Sequence, residues 1–538
     1  MTRPARSRGR RLLRISALVA AVAVALGLAA VGGVYLRLGA RGAPLVSADP
    51  AVPLAERECP DGFRGARCGV VTAPLDHTDP DGPTIEVGFV LFPAVNPGAG
   101  LGSDGARVAQ VIGGGPGTPV TASAGAASIW PIRLAVRGHG LLAVDPRGTG
   151  WSTPLRCDAL EPRGDGPVSR LTADPGAVAR CAEQIGPQRV HYSTADTARD
   201  FELVRRALGV AQLDLLAFSY GAGLGAVYAG MFPDAVRTLT LDGAAPVAGA
   251  ADLQPNYHAA MQRVWRDACT RSGACDADDA LAALADVTGR LRDEPRPLDG
   301  STVLDASVLA ALAVATPELT DADGEPTFRL PVLGAVLAAR DGDWTALDAL
   351  ARERLGGSSG AAEPFDTGAS EALRVSVDCP ESRVPWDWSA DRAGREAQLA
   401  AAVDRAPAGA VSPFTPAEWA GRPDVLNYYS ECIGWPAPPT GRPTERREAF
   451  VDWRPGLPVL VLNGDLDLRT PLEDARDAAA QFAGRTDAVQ LARFRHHEHV
   501  VLPQSTCAVR LWAELLDDGA VEDPDRCLDA DPKSVATR

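Results

Sequence analysis

Short apolar runs that end in glycine-rich turns recur in the first half of the chain and again near its end. Residues 108–112 carry β-branched side chains and stop at Gly113-Gly114-Gly115-Pro116-Gly117. Residues 140–144 stop at Asp145-Pro146-Arg147-Gly148-Thr149-Gly150, and residues 213–218 at Ser219-Tyr220-Gly221-Ala222-Gly223. Runs of this length between turn signals read as buried strands. Residues 198–208 show helical spacing and stop at Gly209, and an apolar helical stretch follows Ser219 as far as Met231. Strand and helix in alternation predict an α/β fold with a parallel, doubly wound sheet, whose ligands bind at the C-terminal ends of the strands. Two further strands are expected at 457–463 and 488–494, with a helix from about Gln504.

Between Gly243 and about Arg454 the strand pattern lapses. Helical spacing appears at 277–291, 307–315, 332–339, 345–355 and 394–403, with a flexible loop at 356–360 and a proline-rich connector at 436–443. The expected organisation is therefore a core of residues 45–245 and 455–538 interrupted by a mainly helical insertion at 246–454. Residues 1–44 stand apart.

The candidate chemistry begins at Ala217-Phe218-Ser219-Tyr220-Gly221. A serine on a tight strand-to-helix turn needs small residues two before and two after it, because the backbones pack closely there. A competing reading is a serine that merely caps a buried helix. A serine nucleophile needs a base, and the base an orienting acid. The loop after 457–463 reads Gly464-Asp465-Leu466-Asp467-Leu468-Arg469-Thr470-Pro471, and the loop after 488–494 reads Arg495-His496-His497-Glu498-His499. Three of the seven histidines stand in that one loop. The chain order Ser219, Asp467, His499 suits a hydrolase triad. A histidine cluster with one acid on a loop is poor metal-ligand spacing, so no metal and no cofactor are expected. The N–H of Tyr220 and one from Gly114 or Gly115 are placed to bind an oxyanion. Arg147 reads as a structural anchor that ties the Asp145 loop to a carboxylate.

Charge divides the chain. The formal net charge is −16, yet residues 1–44 hold eight arginines and no acid. Without those eight, 45 basic residues face 69 acidic ones, a body of −24. So acidic a body excludes a general nucleic-acid partner. Residues 15–36 are uncharged and mostly apolar, and six arginines precede them. That is long enough to span a bilayer with the N-terminus in the cytoplasm; the competing reading is a cleaved signal peptide. Either way the body is expected to be exported, membrane-anchored facing outside or secreted. Ten cysteines, none in CxxC spacing, agree with an oxidising compartment. Pairing of neighbours, 59–68, 157–181, 269–275, 379–432 and 507–527, is the simplest connectivity.

Taken in order, Gly114-Gly115-Pro116-Gly117, Asp145-Pro146-Arg147-Gly148-Thr149-Gly150, Ser219-Tyr220-Gly221, Phe232-Pro233-Asp234, Leu241-Asp242-Gly243, Gly464-Asp465-Leu466-Asp467 with Thr470-Pro471, and Cys507 and Cys527 form an ordered set. Together they resemble the exported tripeptidyl aminopeptidases of actinobacteria, relatives of prolyl aminopeptidases in the α/β-hydrolase fold. The likeness runs from Cys59 to Cys527. It implies Ser219 as nucleophile, Asp467 as acid and His499 as base, with the insertion as a lid over the site. It also implies a peptide substrate with a free N-terminus, whose ammonium needs a carboxylate; Glu318, Asp321, Asp323, Glu325, Asp378 and Glu381 are the acids available in the insertion. The family's Gly-His is here Glu498-His499, which leaves His497 as a second choice of base. Ala217 replaces the usual first elbow glycine, and Gly113 stands where His or Asn is frequent. Two other readings remain at this stage: a carboxylesterase or lipase with the same triad, and a non-catalytic binding protein on a hydrolase scaffold.

Overall fold

The computed structural model describes residues 44–536 apart from 60–62, 64, 95–106, 122–137, 162–174, 248–252, 274, 300–301, 316–317, 321–325, 356–367, 424–426, 438–452 and 531–533. The basic segment and apolar stretch of residues 1–43 lie outside the described residues, as do Asp321, Asp323, Glu325, the 356–360 loop and most of the proline-rich connector. Among the described residues no helix is long and apolar enough to cross a membrane.

Nine strands build one sheet: β1 Leu54–Arg57, β2 Arg67–Pro74, β3 Thr84–Phe92, β4 Arg107–Ile112, β5 His139–Val144, β6 Leu213–Phe218, β7 Val236–Asp242, β8 Val459–Gly464 and β9 Val489–Phe494. Their order is β1-β2-β3-β5-β4-β6-β7-β8-β9. From β5 to β9 every pairing is parallel. At the other end β1, β2 and β3 pair antiparallel, and β3 joins β5 antiparallel. The sheet is thus mixed but mostly parallel, an α/β-hydrolase arrangement. The antiparallel edge carried no signal in the apolar runs considered above.

The chain leaves β4 for β5 on one side and returns to β6 on the other. That reversal opens a crevice beyond the ends of β4 and β6, where an open α/β sheet binds its ligand. Helices α1 Pro175–Ile185, α2 Thr194–Ala207, α3 Tyr220–Met231, and later α13 Leu472–Ala483 and α14 Thr506–Asp518 cover the two faces. On one face Phe201, Tyr228 and Phe482 are buried in the main core; on the other Leu511 and Trp512 pack on Leu460 and Phe494. Helix α3 is buried from Gly221 to Gly230, which accounts for its apolar character all round.

Between β7 and β8 the chain forms an inserted, mainly helical region. Among the described residues its helices are α4 Pro255–Ser272, α5 Ala277–Asp293, α6 Ala306–Ala313, α7 Pro331–Arg340, α8 Thr345–Leu355, α9 Glu371–Glu381, α10 Arg392–Asp404, α11 Pro416–Ala420 and α12 Tyr428–Cys432. Five of these coincide with the periodic stretches of the sequence. Helix α9, with Pro380 inside it, and the long α4 do not. The insertion also holds two small hairpins, and Pro326–Arg329 of one of them pairs in parallel with Ser534–Ala536. The chain's last described strand therefore returns to the insertion.

All ten cysteines are paired, Cys59–Cys68, Cys157–Cys181, Cys269–Cys275, Cys379–Cys432 and Cys507–Cys527, which is the neighbour connectivity expected from sequence. Five disulfides agree with an extracellular location for the body.

Candidate active site

Ser219 occupies the one residue between β6 and α3, with φ 56° and ψ −126°. A side chain rarely tolerates that backbone, and the strain lifts the serine out of the strand line. Its neighbours explain how the turn fits. A Cβ at Gly221 would lie 2.3 Å from the Gly113 carbonyl oxygen and 2.7 Å from that of Ile112. Ala217 is accommodated because Gly225 faces it: a Cβ at Gly225 would sit 3.1 Å from the Ala217 methyl. The Ser219 N–H donates to the carbonyl of Asp242 at 2.9 Å, and the Ser219 carbonyl accepts from Ala222 N–H at 2.8 Å.

The glycine loop after β4 lies against this serine. A Cβ at Gly114 would be 3.0 Å from Ser219 Cβ and 3.5 Å from its Oγ. Gly115, at φ 117°, turns the loop as only glycine readily can. Tyr220 opens α3, so its N–H is a first-turn donor for which the helix itself supplies no carbonyl. Asp145 holds the far end of the loop: its carboxylate accepts from Thr121 N–H at 2.8 Å, Thr121 Oγ1 at 2.6 Å and Trp151 N–H at 2.8 Å. Burial pushes the Asp145 carboxyl up despite those donors. Arg147, fully buried, makes two 2.7 Å hydrogen bonds to Asp200 of α2 and also donates to the carbonyls of Leu75 and His191. It is an anchor between loop and helix.

Across the sheet, Asp467 follows β8 and is fully buried. His499 Nδ1 lies 2.8 Å from its Oδ2. The same carboxylate accepts from Arg469 N–H at 2.7 Å, Thr470 N–H at 2.9 Å and Thr470 Oγ1 at 2.9 Å. Burial pushes the carboxyl up, but the facing His499 and the backbone donors outweigh it and hold Asp467 below its usual range. Thr470 Oγ1 is also 3.1 Å from His499 Nδ1. Gly243, at φ 71°, leaves room for the imidazole, since a Cβ there would lie 3.2 Å from His499 Cε1.

The other residues of these loops go elsewhere. His497 is fully buried with its ring edge-on to Phe494, and its carbonyl accepts from Leu466 N–H at 2.9 Å. Asp467 therefore faces His499 rather than His497. Asp465 pairs with Arg493 at 2.8 Å. Among the described residues no group of three His, Cys, Asp or Glu side chains is arranged to hold a metal.

In the insertion, Asp378 lies 3.6 Å from Arg374, which also binds Glu371 and Glu431 at 2.6 Å each. Glu381 goes to the core instead. Its carboxylate accepts from Thr194 N–H at 2.7 Å and Thr194 Oγ1 at 2.5 Å, and that hydroxyl is 2.8 Å from Tyr220 Oη. Sequence reasoning did not find Thr194, which is 187 residues from Glu381, nor a role for Asp242. Only the Leu241-Asp242-Gly243 motif drew attention to the latter.

Residues 111–297 match the model of the alpha/beta hydrolase fold, and residues 415–527 that of the TAP-like protein family. Over 456 residues the chain is 28% identical to Tripeptidyl aminopeptidase of Streptomyces lividans, covering 78% of this chain and 75% of that one. Over 496 residues it is 26% identical to Serine protease Hip1 of Mycobacterium tuberculosis, covering 83% and 84%. Over 454 residues it is 28% identical to Carboxylesterase B of Mycobacterium tuberculosis, covering 78% of each. The first matched segment carries Ser219 and the second carries Asp467 and His499, so the chain is an α/β hydrolase similar to TAP-like proteins.

Proposed function

We propose that the protein is an exported serine aminopeptidase that releases short peptides, tripeptides by its resemblance, from free N-termini. The observation that carries this reading is the 2.8 Å contact of His499 Nδ1 with buried Asp467, on the same sheet edge as the strained Ser219 turn. His499 takes the Ser219 proton as Oγ attacks the scissile carbonyl. Asp467 holds the imidazole tautomer and stabilises the imidazolium. The N–H of Tyr220 and one from Gly114 or Gly115 receive the oxyanion; loss of one such donor costs about 2.7–4 kcal/mol in the transition state. His499 then returns the proton to the leaving amine. Water activated by His499 hydrolyses the acyl-enzyme on Ser219.

The inserted helical region acts as a lid that admits chain ends and excludes folded proteins. A carboxylate of the lid receives the substrate ammonium. The N-terminal 1–44 segment delivers the body across the membrane, either remaining as an anchor or leaving as a signal peptide.

The esterase reading keeps one specific support, the 28% identity to a protein named Carboxylesterase B. Turnover of a free tripeptide anilide beside its N-blocked form separates the two. The aminopeptidase cleaves only the free form; equal cleavage of both excludes it. Fluorophosphonate labelling that is lost in Ser219→Ala identifies the nucleophile, and labelling that persists in that variant removes Ser219 from the role.

A further inference from the structure

One buried carboxylate at the site has no part in the reaction just described. Asp242 ends β7 and is fully buried. Its backbone carbonyl accepts the Ser219 N–H at 2.9 Å. Its carboxylate accepts two consecutive backbone donors, Val501 N–H to Oδ1 at 2.9 Å and Leu502 N–H to Oδ2 at 2.7 Å. Those donors are the second and third residues after His499. Between them and the histidine, Val500 has φ 61°, a left-handed conformation that a β-branched residue holds only when its surroundings impose it. Gln504 braces the same turn by donating from Nε2 to the carbonyls of His499 at 3.1 Å and Val500 at 2.8 Å. Gly243, the next residue after Asp242, supplies the floor under the imidazole.

One residue thus grips both moving parts of the proposed reaction, the serine turn through its main chain and the histidine turn through its side chain. We propose that Asp242 is a positioning residue that sets His499 against Ser219 by holding these two turns together. The inference rests on the triad reading above. It asks no chemistry of Asp242 itself: misplacing a reacting pair by about 1 Å is enough to lose roughly 100-fold in rate.

The electrostatics agree with the geometry. Burial pushes the Asp242 carboxyl up to about 7; the Leu502 and Val501 donors and His499 oppose this, and Asp467 adds to it. Among the described residues, His499 and Asp467 are the titratable groups whose charges act on it most. When Asp242 gains a proton, one of its two acceptor oxygens becomes a donor, and one N–H of the His499 turn loses its partner. Acid thereby loosens the turn that aims His499.

The test uses the full-length protein and p-nitrophenyl acetate, which probes acyl transfer whichever substrate class is natural. Asp242→Asn keeps the shape and one acceptor. It is expected to lower kcat about 100-fold with KM within about twofold. The acidic limb of kcat/KM in the unaltered protein should fall more steeply than one proton per pH unit, and with unit slope in Asp242→Asn. A variant with kcat within about twofold of the unaltered protein overturns the inference. So does a unit slope in the unaltered protein, a measurement that needs no variant to fold. Ser219→Ala in the same assay separates the two readings. Turnover surviving in Ser219→Ala defeats the triad itself, whereas an inert Ser219→Ala beside an unimpaired Asp242→Asn defeats only the role of Asp242.

Discussion

Glu381, the last residue of α9 in the insertion, accepts hydrogen bonds from both the N–H and the hydroxyl of Thr194, the first residue of α2 in the core. A carboxylate at a helix N-terminus meets the positive end of the helix dipole and one of its orphan donors. Because the Thr194 hydroxyl also meets Tyr220 Oη, this contact fastens the insertion beside the serine turn. Glu381→Ala leaves the buried Thr194 N–H without its acceptor. It should lower unfolding free energy by about 1–3 kcal/mol, read from the urea midpoint, with Glu381→Gln losing less.

Asp467→Asn preserves the packing but lets the imidazole take the wrong tautomer. The expected loss in kcat is about 10⁴-fold with the fold intact by circular dichroism. Thr470→Val removes one donor from the Asp467 carboxylate and should cost about 10- to 100-fold in kcat, since a hydrogen bond to a charged group is worth roughly 1.5–3 kcal/mol.

Asp474 in α13 offers a stability test away from the reacting atoms. Burial, with Asp477, Asp467 and Glu473 adding to it, raises its carboxyl to about 7 against the donor Asn256 Nδ2 at 2.7 Å. The unfolded chain releases that proton near pH 3.9, so between about pH 4 and 7 the folded state binds more protons and stability falls as pH rises. Asp467 has the opposite sign: its lowered folded value supports stability above about pH 4, a contribution lost as pH falls through that folded value. Asp474→Asn should therefore flatten the decline between pH 4 and 7, giving its largest gain above pH 7. Denaturant melts across pH check this, and an unchanged slope would exclude a protonated Asp474.

Gly221→Ala should deform the serine turn, because the new methyl has backbone oxygen 2.3 Å away and no flexible side chain to displace. Ala217→Gly should be tolerated and Ala217→Val should not, because Gly225 leaves room for a methyl but no more. Expression yield, thermal midpoint and fluorophosphonate labelling rate measure both effects.

The Cys379–Cys432 bridge joins α9 to α12 across 53 residues. Closing a loop of that length restricts the unfolded chain by about 4 kcal/mol, so replacing both cysteines with serine should cost stability of that order in a reversible denaturant titration.

The parallel strands and the helices that follow them were legible because burial on both faces leaves an uninterrupted apolar run between turns. The β6–Ser219–α3 junction was legible for a local reason too, since its small residues serve a turn only five residues long. The antiparallel edge β1–β3 was not, and neither was α9, whose helix carries a proline at its end. Asp145 and Arg147 could be seen as loop residues; that one holds Thr121 and the other Asp200 could not.

What the sequence determined by itself is what short-range sterics and burial write into neighbouring residues: the strand–turn–helix units, the disulfide-bearing acidic body and the chain order of Ser219, Asp467 and His499. Tertiary structure decided which groups meet. Asp465 and Asp467 are chemically alike and two residues apart, yet one pairs with Arg493 and the other with His499. His497 and His499 differ likewise, one turned into the core against Phe494 and one toward Asp467. Such choices depend on the register of β8 against β9 and on Asp242 reaching the turn after His499. Those contacts join residues as far as 260 positions apart, and no local pattern encodes them.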